Sequence, residues 1–343
     1  MKNGMASETN KKYDSAVKKY TAWALKNGLA SFGLIQRPSQ DDMVMFISDL
    51  ATKGLSPGYI AGTLSGIADY FVQSGYSNPT KLPDGVTSLP ILARCMRGIR
   101  RVHTSEKRPR HPLTTDLLRL VLLDLQRANP TMSDIDATAY KSALSAGVYG
   151  LLRISELVAD RTKACDPVRT TRGSDVHFYP TMESAEYYTY HIRTSKTDCF
   201  RRSTTIRVYA TGTSDCPVAA MVKWWRCRSS DRSAPLYTFV DGTFMTRDRL
   251  TTVLRRTLEY LGHDGKNFAS HSLRAGGAVS MAAAGYGAEF LSILGRWKSD
   301  AYLAYLATMP PAMHKSIHVA MARIDTSDIT DERKQEYKNR FND

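Results

Sequence analysis

The stretch "SHSLRAGGA", Ser270 to Ala278, places His271 and Arg274 three residues apart at what reads as the start of a helix. A helix N-terminus already favours negative charge, so two cationic-capable side chains there need a reason. Either both splay into water, or an anion sits there, held by His271, Arg274 and the first-turn N–H groups. Four more positions bear on the choice. Arg153 lies in "GLLRISELV", on a helix otherwise full of apolar residues, with Glu156 three residues on as a possible counter-charge. Lys196 sits at the tip of a predicted hairpin, Trp297 in "LGRWKSD" and Tyr305 in "AYLAYLA". Taken singly, each has an ordinary explanation: an ion pair, a solvated lysine, two core aromatics.

In order, they form a pattern. An Arg with Glu three on is followed by a hairpin Lys, then H-x-x-R, a Trp 23 residues after that Arg, and finally a Tyr. This resembles the tyrosine recombinase, or phage-integrase-like, family along the whole chain. "HSLRAGGA", "TSKTDCFRR" and "GRWKSDAYLAYL" carry the likeness, and Trp297 with its surroundings is most similar to Crypton- and DIRS-type recombinases of eukaryotic mobile elements. The resemblance implies Arg153, Lys196, His271, Arg274, Trp297 and Tyr305 as the catalytic set, with Glu156 behind Arg153. Many relatives place the nucleophile nine residues after the His/Trp position. Tyr305 comes eight after Trp297, and Tyr302, one turn earlier on a helix opened by Ser299, is the alternative.

The chemistry asks for these residue types. Cutting a phosphodiester without metal needs a nucleophile, charge stabilisation and a proton for the leaving oxygen. A phenol, with a pKa of about 10, ionises far more readily than an alcohol, above all beside cations. Two guanidinium forks can bind the non-bridging oxygens and hold them more tightly as charge builds in the transition state. A positioned Lys196 as general acid is worth roughly 10²- to 10⁴-fold. His271 can take the tyrosine proton, and the Trp297 indole N–H can donate to a phosphate oxygen. No cofactor and no metal is expected. The sequence has no G-x-x-x-x-G-K-[ST], G-x-S-x-G or H-E-x-x-H, and its five cysteines contain no C-x-x-C.

The elements that must position these side chains are mostly helical. Residues 1–102 read as a helical, DNA-clamping unit: Ser7 as a cap, "SQDD" at Ser39 to Asp42 as a capping box, and Ser56-Pro57 as an N-cap with Pro in the first turn. A fourth helix covers "SLPILARCMRGIRR". Residues 103–112 read as a basic linker and 113–325 as a mixed catalytic domain with helices around a small antiparallel sheet. In that domain "DIDATAYKSALSAGVYGLLRISELVAD" reads as one long helix, and "EYYTYHIRT" with "RRSTTIRVYA" as the hairpin. Residues 326–343 form a charged tail. The amphipathic piece from Pro310 to Ile324 is expected to dock on a neighbouring protomer.

Composition agrees with a polyanionic partner. The 343 residues carry 47 Lys+Arg against 33 Asp+Glu, a formal charge of +14. Residues 1–110 contribute +8 and the remainder +6, so a clamp would touch DNA with both parts. Seven cations, Arg94, Arg97, Arg100, Arg101, Lys107, Arg108 and Arg110, face one acid in the strip that ends the first part, and they are the candidate phosphate contacts. No apolar run reaches spanning length, which argues against a membrane. Double-stranded DNA is the expected partner, with self-assembly as a dimer on each site and a tetramer on two. The resemblance to eukaryotic elements implies the nucleus, and "EKRPRHP" is a weak nuclear signal. The rival readings are a type IB topoisomerase, a DNA-binding derivative that no longer cuts, and a metal-dependent nuclease.

Overall fold

The computed structural model describes residues 7–31, 34–35, 37–103, 110–194, 203–297, 299–307 and 309. The chain divides into two compact units, Met1–Lys107 and Arg108–Asp343.

Among the described residues unit one holds four helices: α1 (Ser7–Lys26), α2 (Gln40–Thr52), α3 (Pro57–Gln73) and α4 (Pro90–Val102). A two-rung antiparallel pair, β1 (Ala30–Ser31) and β2 (Leu34–Ile35), links the first two. The cap signals act as their residues suggest. Asp42 N–H donates to Ser39 Oγ at 3.1 Å while Ser39 N–H donates to Asp42 Oδ2 at 2.8 Å, and Ser56 Oγ accepts from Tyr59 N–H. Such caps are worth about 1 kcal/mol each. Tyr20, Phe46, Ile47, Ile60, Ile67, Phe71, Leu92 and Met96 fill the space between the helices. At Gly66 a Cβ would stand 2.9 Å from the Ala16 methyl, so the bare backbone is what lets α3 approach α1. α4 is sharply two-sided. Leu92 and Met96 face the core, whereas Arg94, Arg97, Arg100 and Arg101 are all exposed.

Unit two begins where His111 N–H donates to Asn267 O and Leu113 N–H to Ser272 O. α5 (Thr115–Ala128) and α6 (Asp134–Tyr149) come first, then the four-residue α7 (Ile154–Leu157). α6 is the central helix, buried on nearly every side, and its small residues Ser142, Ala143, Ser145, Ala146 and Gly147 let neighbours close on it. Next comes a three-stranded antiparallel sheet in the order β3 (Val176–Tyr179), β4 (Tyr187–Ile192), β5 (Thr204–Tyr209). β4 and β5 pair from Tyr187↔Tyr209 to Ile192↔Thr204, the arms of the expected hairpin. The sequence reading did not assign β3. α8 (Pro217–Cys227), α9 (Arg247–Tyr260), α10 (His271–Ala283), α11 (Ala288–Gly295) and the short α12 (Leu303–Leu306) complete the described residues. Leu118, Leu144, Met221, Trp224, Leu254, Tyr188 and Tyr190 belong to one shared core. Among the described residues no helix is long and apolar enough to cross a membrane.

One expectation needs correction. The long helix through Arg153 does not form, because α6 ends at Tyr149 with Gly150 as its cap and Leu151 takes a left-handed φ of +47°. That backbone costs a leucine roughly 1–2 kcal/mol, and the bend points its carbonyl towards two arginines described below. Tyr302 and Tyr305 stand three apart on one continuous helical run opened by Ser299, as expected. Tyr302 closes a 3₁₀ turn from Asp300, and Tyr305 lies on α12.

Candidate active site

Arg153 stands immediately before α7, as its N-cap, with Glu156 at the third helical position. Its backbone N–H donates to Glu156 Oε2 at 3.0 Å and its guanidinium to Oε1 at 2.8 Å. The Glu156 backbone is fixed as well, since Tyr190 Oη and Thr171 Oγ1 both donate to its carbonyl. The ion pair expected three residues apart is therefore present, and Arg153 is oriented from two directions.

Arg274 lies one turn into α10 and is 2% exposed. Its guanidinium donates to Leu151 O and to Gly295 O. The strained turn at Leu151 thus supplies one of the acceptors that hold Arg274. α10 can sit this close because of "AGGA". A Cβ on Gly276 would overlap the Leu113 backbone, and one on Gly277 would overlap Val148 O. Burial, then the charges of Arg153 and Arg296, lower the Arg274 pKa to about 10, which leaves it cationic at neutral pH.

Arg296 is the residue that sequence reasoning missed. It closes α11 in a left-handed conformation, φ 56°. Its guanidinium donates to Glu156 Oε2 at 3.0 Å, to Leu151 O at 3.1 Å and to Gly150 O at 3.3 Å. Burial lowers its pKa; Glu156 pulls it back up, and Arg153 pushes it down. The only signal was its place in "GRW", next to a residue already singled out.

The aromatic side of the site comes from the residues after α11. The Arg274 guanidinium carbon is 4.3 Å from the centroid of the Trp297 ring, a cation–π contact. Tyr305 and Tyr302 lie 5.8 and 6.1 Å from that ring, centroid to centroid. They differ in burial. Tyr302 packs into a small core with Leu151, Ala278 and Leu291, whereas Tyr305 is only partly buried against it. His271, the first residue of α10, is exposed.

Arg153, Glu156, Arg274, Trp297 and Tyr305 are thus brought together, and Arg296 joins them. Among the described residues Glu156 pairs with Arg153 and Arg296 and also acts on Arg274, so three guanidinium groups surround one carboxylate. Buried charge of one sign calls for a partner of the other. A tetrahedral dianion or diester phosphate suits forks of this kind. Lys196, Lys107 and Arg108 lie outside the described residues, as does the piece from Pro310 to Ile324. Of the strip, Arg94, Arg97, Arg100 and Arg101 are exposed on α4 and Arg110 is exposed at the start of the second unit.

Solved structures share this architecture. The XerH site-specific recombinase bound to a palindromic difH substrate matches over 91% of this chain and 79% of its own, at 15% identity and a TM-score of 0.59. A lambda integrase dimer bound to a core site matches over 90% and 91%, at 15% identity and 0.54. The fold is that of the tyrosine recombinases. The Tn1549 transposon integrase, in complex with circular intermediate DNA, matches over 90% of this chain and 99% of its own, at 17% identity and 0.50. No protein-family model matches the sequence, and no curated protein does.

Proposed function

We propose that the protein cleaves and rejoins double-stranded DNA through a 3′-phosphotyrosine intermediate, as a site-specific recombinase of a mobile element. One observation carries this reading: among the described residues, a buried cluster of arginines that outnumbers its one carboxylate meets a partly buried tyrosine beside the Trp297 ring. The DNA-bound recombinases that share the fold support it. The mobile-element assignment, action in the nucleus, and assembly as a dimer per site and a tetramer on two sites rest on the sequence resemblance.

The scissile phosphate binds between Arg153 and Arg274, whose guanidinium forks take its non-bridging oxygens. Tyr305 Oη attacks phosphorus and gives its proton to His271. The bond to the 5′ oxygen breaks, and Lys196 protonates that oxygen so that it leaves as a hydroxyl rather than a strongly basic alkoxide. Charge that builds on the five-coordinate phosphorus is held by the two forks, while Arg296 and Glu156 keep Arg153 in register. The Trp297 indole N–H donates to the phosphate, and its ring covers Arg274. The phosphotyrosine keeps the energy of the broken bond, so a 5′-hydroxyl from another strand reverses the attack without ATP.

The test is a covalent adduct. The protein is incubated with DNA from either side of its coding region, in EDTA, then denatured and resolved. A protein–DNA species that survives denaturation is expected. Activity that vanishes in EDTA and returns with magnesium would overturn the mechanism, and binding without adduct would mark a DNA-binding derivative that no longer cuts. Adduct formation and plasmid relaxation by a monomer would instead favour the topoisomerase reading.

A further inference from the structure

A second polar cleft opens in the same unit, beside Ser270. It measures about 890 Å³ and is lined by four guanidinium groups, Arg110, Arg161, Arg247 and Arg255. Asp160 and Asp248 also line it, so the cations exceed the acids by two. Two long helices begin at its wall. α9 starts at Arg247 and α10 at His271, and the positive ends of both dipoles add to the four side chains.

Helix ends and surface arginines would not by themselves make a site. Ser270 supplies the second observation. It occupies the N-cap position of α10, yet its side chain caps nothing, because its own backbone is already helical at φ −55° and ψ −27°. It is 4% exposed and lines the cleft, and among the described residues its Oγ finds no hydrogen-bond partner. A buried hydroxyl left unpaired is unfavourable, and folded chains rarely keep one without a use. The local backbone shows why Ser270 is passed over. Ala269 N–H donates to Ser272 Oγ instead, at 3.0 Å, and Ser272 N–H donates back to Ala269 O. Ser272 Oγ is thus taken up by the Ala269 N–H, and the Ser270 hydroxyl is left for a ligand.

We propose that this cleft binds a second backbone phosphate of the DNA, distinct from the one that is cut. An O–H donor, guanidinium forks and helix N-termini all select an anion, and a phosphodiester oxygen satisfies each of them. Ser270 is the residue before His271, so the strand would be gripped at two phosphates on either side of the α10 N-terminus. This grip fixes the position of the strand and leaves the chemistry to the arginine cluster. The inference rests on the DNA reading above, and its test separates the two.

The probe is a random-sequence duplex, followed by fluorescence anisotropy across a salt series. Ser270→Ala removes no charge and no existing hydrogen bond. It is expected to weaken duplex binding about tenfold while the melting temperature stays level or rises. Arg161→Gln with Arg247→Gln, both at exposed positions, should shallow the log affinity against log salt slope by about 0.9, the equivalent of one phosphate left unneutralised. If Ser270→Ala keeps full affinity, or the double variant keeps the wild-type slope, the cleft holds no phosphate and the inference falls while the DNA reading stands. If the wild-type protein binds no duplex at all, the DNA reading itself falls.

Discussion

The Trp297 ring stands 4.3 Å from the guanidinium carbon of Arg274, and beneath it Gly295 leaves room that a single methyl group would fill. The indole therefore has a reason to be large and flat, and the glycine two residues earlier has a reason to be bare. A desolvated cation–π contact is worth roughly 2 kcal/mol. Trp297→Ala should slow adduct formation about 30-fold while leaving duplex affinity within a few-fold, and Trp297→Phe, which keeps a ring over Arg274 but loses the indole N–H, should fall between the two. Gly295→Ala should displace the ring and behave like Trp297→Ala, with an added stability loss of about 1–3 kcal/mol from overpacking. Single-turnover adduct assays and thermal melts read the two effects separately. Equal rates for Trp297→Ala and wild type would remove Trp297 from the site.

Glu156 holds Arg153 and Arg296 at 2.8 and 3.0 Å, and its side chain is inaccessible to water. Removing one partner of a buried ion pair costs about 3–5 kcal/mol, because the other charge is left behind. Glu156→Gln should therefore lower the urea midpoint sharply and stop cleavage. Adding Arg296→Gln should cost less than the sum of the two single changes, with a coupling of about 1–3 kcal/mol. Additive losses in the double-mutant cycle would show that Arg296 does not act through Glu156.

Alkaline pH should unfold the protein through its tyrosines. Burial raises the Tyr20, Tyr140 and Tyr149 phenols to about 12, from an ordinary value of 10.0, and at Tyr149 the hydrogen bond to Asp215 adds to it. The folded chain keeps protons that the unfolded chain gives up, so this contribution is whole below about pH 10 and is lost as pH rises through about 12. Urea midpoints should hold steady up to about pH 9 and fall steeply beyond about pH 10. Tyr149→Phe should lessen that fall, although it forfeits the 2.6 Å bond to Asp215. A flat midpoint across this range would contradict the burial of these rings.

Electrostatics of the first unit can be read from salt dependence. The four arginines of α4 are exposed, and each phosphate that they no longer neutralise should shallow the log–log slope by up to about 0.9. Arg94, Arg97, Arg100 and Arg101 changed together to Gln should therefore lower the slope by several units. An unchanged slope would mean that this face looks away from DNA.

How much of this was legible in the sequence differs from residue to residue. Ser39, Asp42, Ser56 and Pro57 act through neighbours within three positions, so local chemistry announces them. The Arg153–Glu156 pair has the same short reach. The break before Arg153 has a tertiary cause. Leu151 adopts its left-handed backbone where Arg274 and Arg296, more than a hundred residues away, both donate to its carbonyl, and no proline marks the place. Arg296 was hidden for a related reason, since a left-handed arginine has no compositional signature. β3 is four residues long, too short for an alternation to stand out, and it exists through its pairing with β4.

The choice between Tyr302 and Tyr305 turns on burial. Tyr302 is 7% exposed and forms part of a core with Leu151, Ala278 and Leu291, so its ring supports the turn that presents Leu151 O to Arg274. A nucleophile must instead reach a phosphate that arrives from solvent. Tyr305 is partly buried, lies 5.8 Å from the Trp297 ring, and is close enough for its charge to act on Arg274. Tyr305→Phe removes one oxygen and almost no packing, so it should leave folding and duplex affinity unchanged and abolish the covalent adduct. Tyr302→Phe should still form adduct, because the ring that supports the turn remains. Peptide mapping of the trapped complex decides between them. DNA found on Tyr302 would overturn the assignment of the nucleophile, and DNA on neither tyrosine would overturn the phosphotyrosine mechanism.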